Sequence, residues 1–289
     1  MEILTMYYFE AVEVASKFFK LTLAIIGLVF FASCGKKTQV HGAEAEVLGP
    51  VEKIVGGSEV ASSTLVNNLF VMIVSDNKGT PQVCTGIFIS TRHILTAAHC
   101  VNETVDDLSL VTGVKPLGDE QALTLTPVHV DRHEKYNPSS KMERNDIAII
   151  TVAESTGLVP NEIPQLPGPE LAAKMAETPN LQFLAVGYGK TGSTADLERS
   201  EGVLRSVKLR TDFKNEKIMM VNQTNGHGVC YGDSGGPALK LYRGTHYVIG
   251  VAAGIYNEGL SQEIDECQGG SLYMNIIPHI QWILDIIYK

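Results

Sequence analysis

The chain is short of basic residues. Its 289 residues hold 23 Lys and Arg against 32 Asp and Glu, a net charge of −9, which argues against a nucleic-acid partner because that role calls for a basic face. An apolar run of membrane-spanning length is also missing. Leu21 to Ala32 gives 12 residues, where a transmembrane helix needs roughly 20. There is no internal repeat and no low-complexity tract. Metal ligation finds little support, since His129, Asp131 and His133 have no Cys or Glu to complete a ligand set at the usual spacing. Asp119 and Glu120 lie in a loop without the oxygen-rich pattern of a calcium site. Neither a metal nor a cofactor is therefore expected. Cysteine is scarce, five in all, an odd number that leaves one without an internal partner.

Apolar residues are plentiful at 44%, enough for a substantial core in one or two domains and too many for a disordered chain. At the N-terminal end, Lys17 and Lys20 precede the short apolar run, and Phe31-Ala32-Ser33-Cys34 closes it. Basic residues, a short apolar run and small residues before a cysteine resemble a bacterial lipoprotein signal. Residues 1–33 thus read as a signal-peptide region, and Cys34 as a lipidation site that would tether the protein to a membrane. An ordinary exported protein and an uncleaved anchor are the alternatives. Glu2, Glu10 and Glu13 stand where a basic start is expected, which points to a translation start upstream of the true one. Residues 34–53 are polar, contain Gly and Pro and lack an apolar period, so they read as a tether and propeptide.

From residue 54 onward the apolar segments are short and separated by turn residues. Leu69–Val74, Val83–Ser90, Leu108–Val111, Ala122–Val130 and Ile147–Val152 are strand-like. So are Leu181–Val186, Val203–Leu209, Met219–Val221, Ala238–Leu241, Tyr247–Ala253 and Ser271–Asn275. Regular short strands of this kind predict an all-β sandwich or barrel. Only the end looks helical: Asn275 can cap, Pro278 falls in the first turn, and Ile276, Ile280, Ile283 and Ile287 recur on one face.

Chemistry concentrates in three stretches. Gly232-Asp233-Ser234-Gly235-Gly236-Pro237 sets a serine among glycines, Thr96-Ala97-Ala98-His99-Cys100 offers a base, and Asn145-Asp146-Ile147-Ala148 offers a carboxylate. A serine alcohol is a weak nucleophile until a base and an orienting third group activate it. Of the three chain orders that build this constellation on unrelated folds, His then Asp then Ser belongs to the chymotrypsin-like one. The chain accordingly resembles the trypsin/chymotrypsin family. Further anchors support the likeness in order: Ile54-Val55-Gly56-Gly57, Cys84-Thr85-Gly86, Arg132-His133-Glu134-Lys135-Tyr136, Gly187-Tyr188-Gly189 and Leu272-Tyr273-Met274.

The resemblance implies two packed antiparallel β-barrels over residues 54–289 with a C-terminal α-helix and the site in the cleft between them. His99, Asp146 and Ser234 would be the triad, and the N–H groups of Gly232 and Ser234 the oxyanion hole. It also implies disulfides Cys84–Cys100 and Cys230–Cys267, hence an exported domain in an oxidising compartment. Cleavage after Lys53 would free Ile54 to pair with Asp233. This makes the protein a zymogen that needs an activating trypsin-like protease. Gly228 stands where a trypsin carries an aspartate; with Val229, Ile255 and Ser271 it would line a shallow apolar pocket for small or medium aliphatic residues. A monomer acting on protein or peptide substrates is expected.

Three departures from the family stand out. Ala252 or Ala253 replaces a serine that normally supports the triad aspartate, and two family disulfides are absent after Gly187. The loop between Ile255 and Cys267 is long and carries Glu258, Glu263, Asp265 and Glu266. Sequons at Asn102-Glu103-Thr104 and Asn222-Gln223-Thr224 carry no weight if the source is bacterial. Two rival readings use the same fold or nucleophile: a catalytically silent binding module, and an ester hydrolase.

Overall fold

A computed structural model describes residues 54–289 apart from 78–79, 121, 141–143, 154, 156, 193–199 and 257–265. Cys34, Lys53 and the whole of residues 1–53 lie outside the described residues, as do Glu258, Glu263 and Asp265.

Strand β1 (Ser58–Glu59) leads into helix α1 (Thr64–Leu69), whose N-terminus is capped by Ser63 Oγ accepting from Val66 N–H at 3.2 Å. The next seven strands are β2 (Phe70–Asn77), β3 (Thr80–Phe88), β4 (His93–Thr96), β5 (Leu108–Thr112), β6 (Thr124–Leu125), β7 (Pro127–Arg132) and β8 (Ala148–Val152). They form one antiparallel sheet in the order β6-β5-β2-β3-β4-β8-β7 among the described residues. Helix α2 (Pro169–Glu177) follows. Then come β9 (Gln182–Gly187), β10 (Arg205–Arg210), β11 (Phe213–Lys214), β12 (Ile218–Asn222), β13 (Pro237–Tyr242), β14 (Thr245–Tyr256), β15 (Gly270–Asn275) and helix α3 (Ile280–Ile287). The second sheet, also antiparallel, runs β1-β10-β9-β13-β14-β15-β12-β11. The expected all-β architecture with a C-terminal helix is what the chain adopts, a chymotrypsin-like fold.

Two apolar cores hold these sheets. In the first, Ile73, Ile87, Leu95, Ile149 and Ile150 meet Ile276, Ile283 and Ile286, so the C-terminal segment folds back onto the first sheet. The second gathers Ile54, Phe183, Val207, Ile249 and Tyr273 with Leu171 and Met175 of α2. Helix α2 was not expected from the sequence. Its signals are present, however: Pro169 sits in the first turn, and Leu171 and Met175 lie four residues apart on one buried face. Two further differences are local. The Ala122–Val130 segment breaks at Thr126 into β6 and β7. A 3-10 turn at Ile277–His279 delays α3, which leaves Ile280 and Ile287 only half-buried while Ile286 takes the core position.

Candidate active site

His99 sits on a 3-10 turn, Ala98–Cys100, that leaves the end of β4. The neighbours Ala97, Ala98 and Cys100 are small and buried, which lets the turn press against the sheet. The Cys84–Cys100 disulfide ties it to β3. Asp146 is fully buried just before β8, and its carboxylate faces His99 twice. Oδ1 accepts the His99 backbone N–H at 2.9 Å, and Oδ2 lies 2.7 Å from His99 Nδ1. The preceding Asn145 takes a left-handed φ of 45°, a conformation that Asn tolerates better than most residues. Its amide donates to Lys135 O at 3.0 Å. A cation also reaches the carboxylate: Arg144 Nε is 3.2 Å from Asp146 Oδ2, although its N–H is not aligned for a hydrogen bond. Arg144 Nη1 donates to Ala253 O at 3.3 Å.

Ser234 lies on the turn before β13, and the first sheet holds that turn in place. Thr85 N–H donates to Ser234 O at 2.8 Å and Thr85 Oγ1 to Gly232 O at 2.9 Å, while the same hydroxyl accepts from Tyr188 N–H at 3.0 Å. Gly235 has φ +82°, and a Cβ there would fall 2.1 Å from Thr96 Oγ1. Asp233, Gly235 and Gly236 N–H groups donate to Cys230, Ala252 and Asp233 carbonyls respectively. Those of Gly232 and Ser234 have no acceptor among the described residues. Ser234 Oγ likewise makes no hydrogen bond to His99 Nε2 among these residues; Nε2 lies 3.8 Å from Cys100 Sγ, which is itself 3.5 Å from Ser234 O.

Asp233 turns away from the nucleophile into the second core. Its Oδ1 accepts from Gly189 N–H and its Oδ2 from Cys230 N–H, both at 2.8 Å. Gly187 and Gly189 are glycine because this carboxyl fills the space: a Cβ on either would lie 2.2 or 2.4 Å from an Asp233 atom. Burial pushes the Asp233 carboxyl up to about 7, against the downward pull of those two N–H groups and of Arg205. Ile54 is fully buried, and Val55 O accepts from Gly228 N–H at 2.9 Å, so the start of the described chain is docked beside the candidate pocket.

The trypsin family model matches residues 54–277. This chain belongs to the trypsin family. Vitamin K-dependent protein C of Mus musculus is 26% identical over 217 residues, which is 69% of this chain and 45% of that protein. The chain thus spans less than half the length of that relative. Family membership supports a serine protease, and the Cys84–Cys100 and Cys230–Cys267 disulfides are both formed, which fits export.

Within this trypsin-family frame, Ile255 on β14 lies directly across from Ser271 on β15 and packs near the Cys230–Cys267 bridge. Val229 is buried beside them. Gln223, a residue that sequence reasoning treated only as the middle of a sequon, enters the same region. Its buried amide donates to Val229 O at 3.0 Å and to Cys267 O at 2.6 Å, and its Oε1 accepts from Val229 N–H at 2.9 Å. The hydroxyls of Ser271 and Tyr273 are buried and have no hydrogen-bond partner among the described residues. On the other side of Ser234 a cleft of about 360 Å³ opens between Gly232, Tyr231, Lys190 and the start of β3 at Thr80–Val83.

The three residues weighed for a metal do not converge. His129 Nε2 is 3.4 Å from Asp131 Oδ1, whereas the buried His133 packs on His279 and Trp282 with ring centroids 4.8 and 5.0 Å away. Among the described residues a further cluster of metal-ligating types is Cys84, His99 and Cys100, but the two sulfurs are bonded to each other and offer no thiolate.

Proposed function

We propose that the chain is a serine endopeptidase, exported and held at a membrane by a lipid on Cys34, and made as a zymogen activated by cleavage after Lys53. One observation carries the enzymatic part: a fully buried Asp146 grips His99 by ring and backbone, beside a serine turn whose Gly232 and Ser234 N–H groups have no acceptor among the described residues. In this reading Ser234 Oγ attacks the scissile carbonyl carbon while His99 Nε2 takes the hydroxyl proton. The carbonyl oxygen becomes an oxyanion held by the two N–H groups, a contribution of about 3 kcal/mol per donor. His99 then returns the proton to the leaving amine, and water releases the acyl group by the same route in reverse. Asp146 stabilises the imidazolium without taking its proton. The bond between Ser234 Oγ and His99 Nε2 forms when substrate binds, as catalytic hydrogen bonds often do.

Activation draws support from Asp233. A buried carboxyl raised to about 7 calls for a cation, and an α-amino group freed at the buried Ile54 would supply one. Substrate preference follows from the pocket. Gly228 brings no charge, and the Gln223 amide stands next to it, so small or medium aliphatic residues such as Ala, Val or Leu suit the site better than Lys or Arg. An enzyme with that preference does not cut its own Lys53–Ile54 bond, and a separate trypsin-like protease must.

Labelling of the Lys53-cleaved protein by a fluorophosphonate is the test. Adduct formation on Ser234 supports the reading; a folded, cleaved protein that binds peptides yet never labels would establish the silent binding module instead. For the anchor, mass spectrometry of the mature chain should find a lipidated Cys34 at its N-terminus. Cys34→Ser should release the protein from membranes.

A further inference from the structure

We infer that Arg144 is a positioning residue for the His99–Asp146 pair, taking the place of the missing serine hydroxyl and restraining protonation of His99. The inference rests on the protease reading for its catalytic meaning, though not for its geometry. Asp146 Oδ2 is shared by two groups: His99 Nδ1 at 2.7 Å and Arg144 Nε at 3.2 Å. On β14, where the resemblance implies a serine, Ala252 or Ala253 has no hydroxyl to offer. Arg144 arrives from the loop before β8 and fastens to β14, with Nη1 donating to Ala253 O.

The local backbone fixes this approach. Asn137 N–H donates to Arg144 O at 2.8 Å, and the left-handed Asn145 reverses the chain between Arg144 and Asp146, with Ile147 N–H bonded to Asn145 O. A neutral hydroxyl and a guanidinium are not equivalent on this carboxylate. Arginine stays protonated throughout the working range. Beside the Asp146 carboxylate it therefore offsets the negative charge that would stabilise an imidazolium. Among the described residues, the groups around His99 are Asp146 and Arg144 from the loop before β8, the disulfide sulfurs of Cys84 and Cys100, and Ser234 on the turn before β13. Of these, only Asp146 and Arg144 carry charge.

The experiment is an NMR titration of the His99 imidazole in the wild type, Arg144→Met and Arg144→Lys, paired with pH profiles of kcat/KM on one aliphatic peptide. Arg144→Met should move the imidazole titration, and with it the acid limb of kcat/KM, upward by about half a pH unit or more. Arg144→Lys should keep both close to wild type. An unmoved titration in Arg144→Met, or a change confined to KM, would overturn the inference and leave Arg144 as a tie to β14. Arg144→Gln serves as a second neutral variant should Arg144→Met fail to fold. Because the titration needs no turnover, a wild type that never labels with fluorophosphonate would sink the protease reading while this charge relationship is still tested.

Discussion

The carboxamide of Gln223 stands where a side chain at residue 228 would begin: a Cβ on Gly228 would lie 2.0 Å from Gln223 Cδ. In the proposed pocket the floor would thus be a neutral amide from the loop after β12 and not the residue six places before Ser234. Gly228→Asp alone should collide with that amide and destabilise the fold by about 1–3 kcal/mol, without conferring cleavage after Lys or Arg. Pairing it with Gln223→Gly should provide both room and charge, and move preference toward basic residues. Urea melts and a peptide-library profile would check this. Efficient basic cleavage by the single variant would contradict it.

Replacing Ser234 or His99 by Ala should lower kcat by several orders of magnitude, because either removal disables the whole unit. Peptide affinity should survive, since neither side chain builds the pocket floor. Single-turnover kinetics and binding measured on the same variants separate the two effects.

His133 and His279 predict a stability that weakens in acid. Burial lowers both, His279 to about 4, with the neighbouring ring adding to the effect there. In the unfolded chain a histidine titrates near 6.5. The neutral rings therefore contribute fully above about 6.5, and that contribution is lost as pH falls toward 4, the unfolded state binding protons that the folded state refuses. From pH 7 to pH 5 His279 alone should account for about 2 kcal/mol. Thermal melts of wild type and His279→Phe should show a shallower acid slope in the variant.

Asp233 predicts the opposite sign in the uncleaved chain. Its folded carboxyl holds a proton up to about 7, whereas the unfolded one releases it near 3.8. That contribution is complete below the unfolded value and disappears as pH rises through about 7. An uncleavable Lys53→Gln protein should lose this contribution, read as Tm, between about pH 4 and pH 7, while the cleaved protein, with the Ile54 amine as counter-charge, should lose less over the same range. Equal slopes for the two forms would remove the pairing of Ile54 with Asp233 from the activation scheme.

Much of this fold could be read in advance because its strands are short, apolar and bounded by turn residues; β3, β8, β13 and β14 fall on segments the pattern marks. Helix α2 escaped because its signals are weak: Pro169 in the first turn and a single buried pair, Leu171 and Met175, in nine residues. The pairing of Asp146 with His99 was legible from motif order. The contacts of Gln223 and Arg144 were not. Gln223 touches Gly228 only because β12 pairs with β15, which brings its loop under the Cys230–Cys267 bridge. Arg144 reaches Ala253 across 109 residues of sequence, and nothing local in Glu143-Arg144-Asn145 distinguishes it from a solvated arginine.

Thr85 has a mechanical consequence. Its amide and hydroxyl bind the two residues on either side of Asp233, its hydroxyl also takes the Tyr188 N–H, and its carbonyl accepts from Thr96 Oγ1 at 2.9 Å. Three of these four bonds, two to the nucleophile turn and one from Tyr188, fasten the second sheet's side to β3, while the Thr96 bond braces Thr85 within its own sheet, so the halves cannot hinge apart without breaking all three together. On the protease reading the two sheets would behave as the jaws of a fixed gauge: extended chains that fit would reach Ser234, and folded ones that need the gap widened would not.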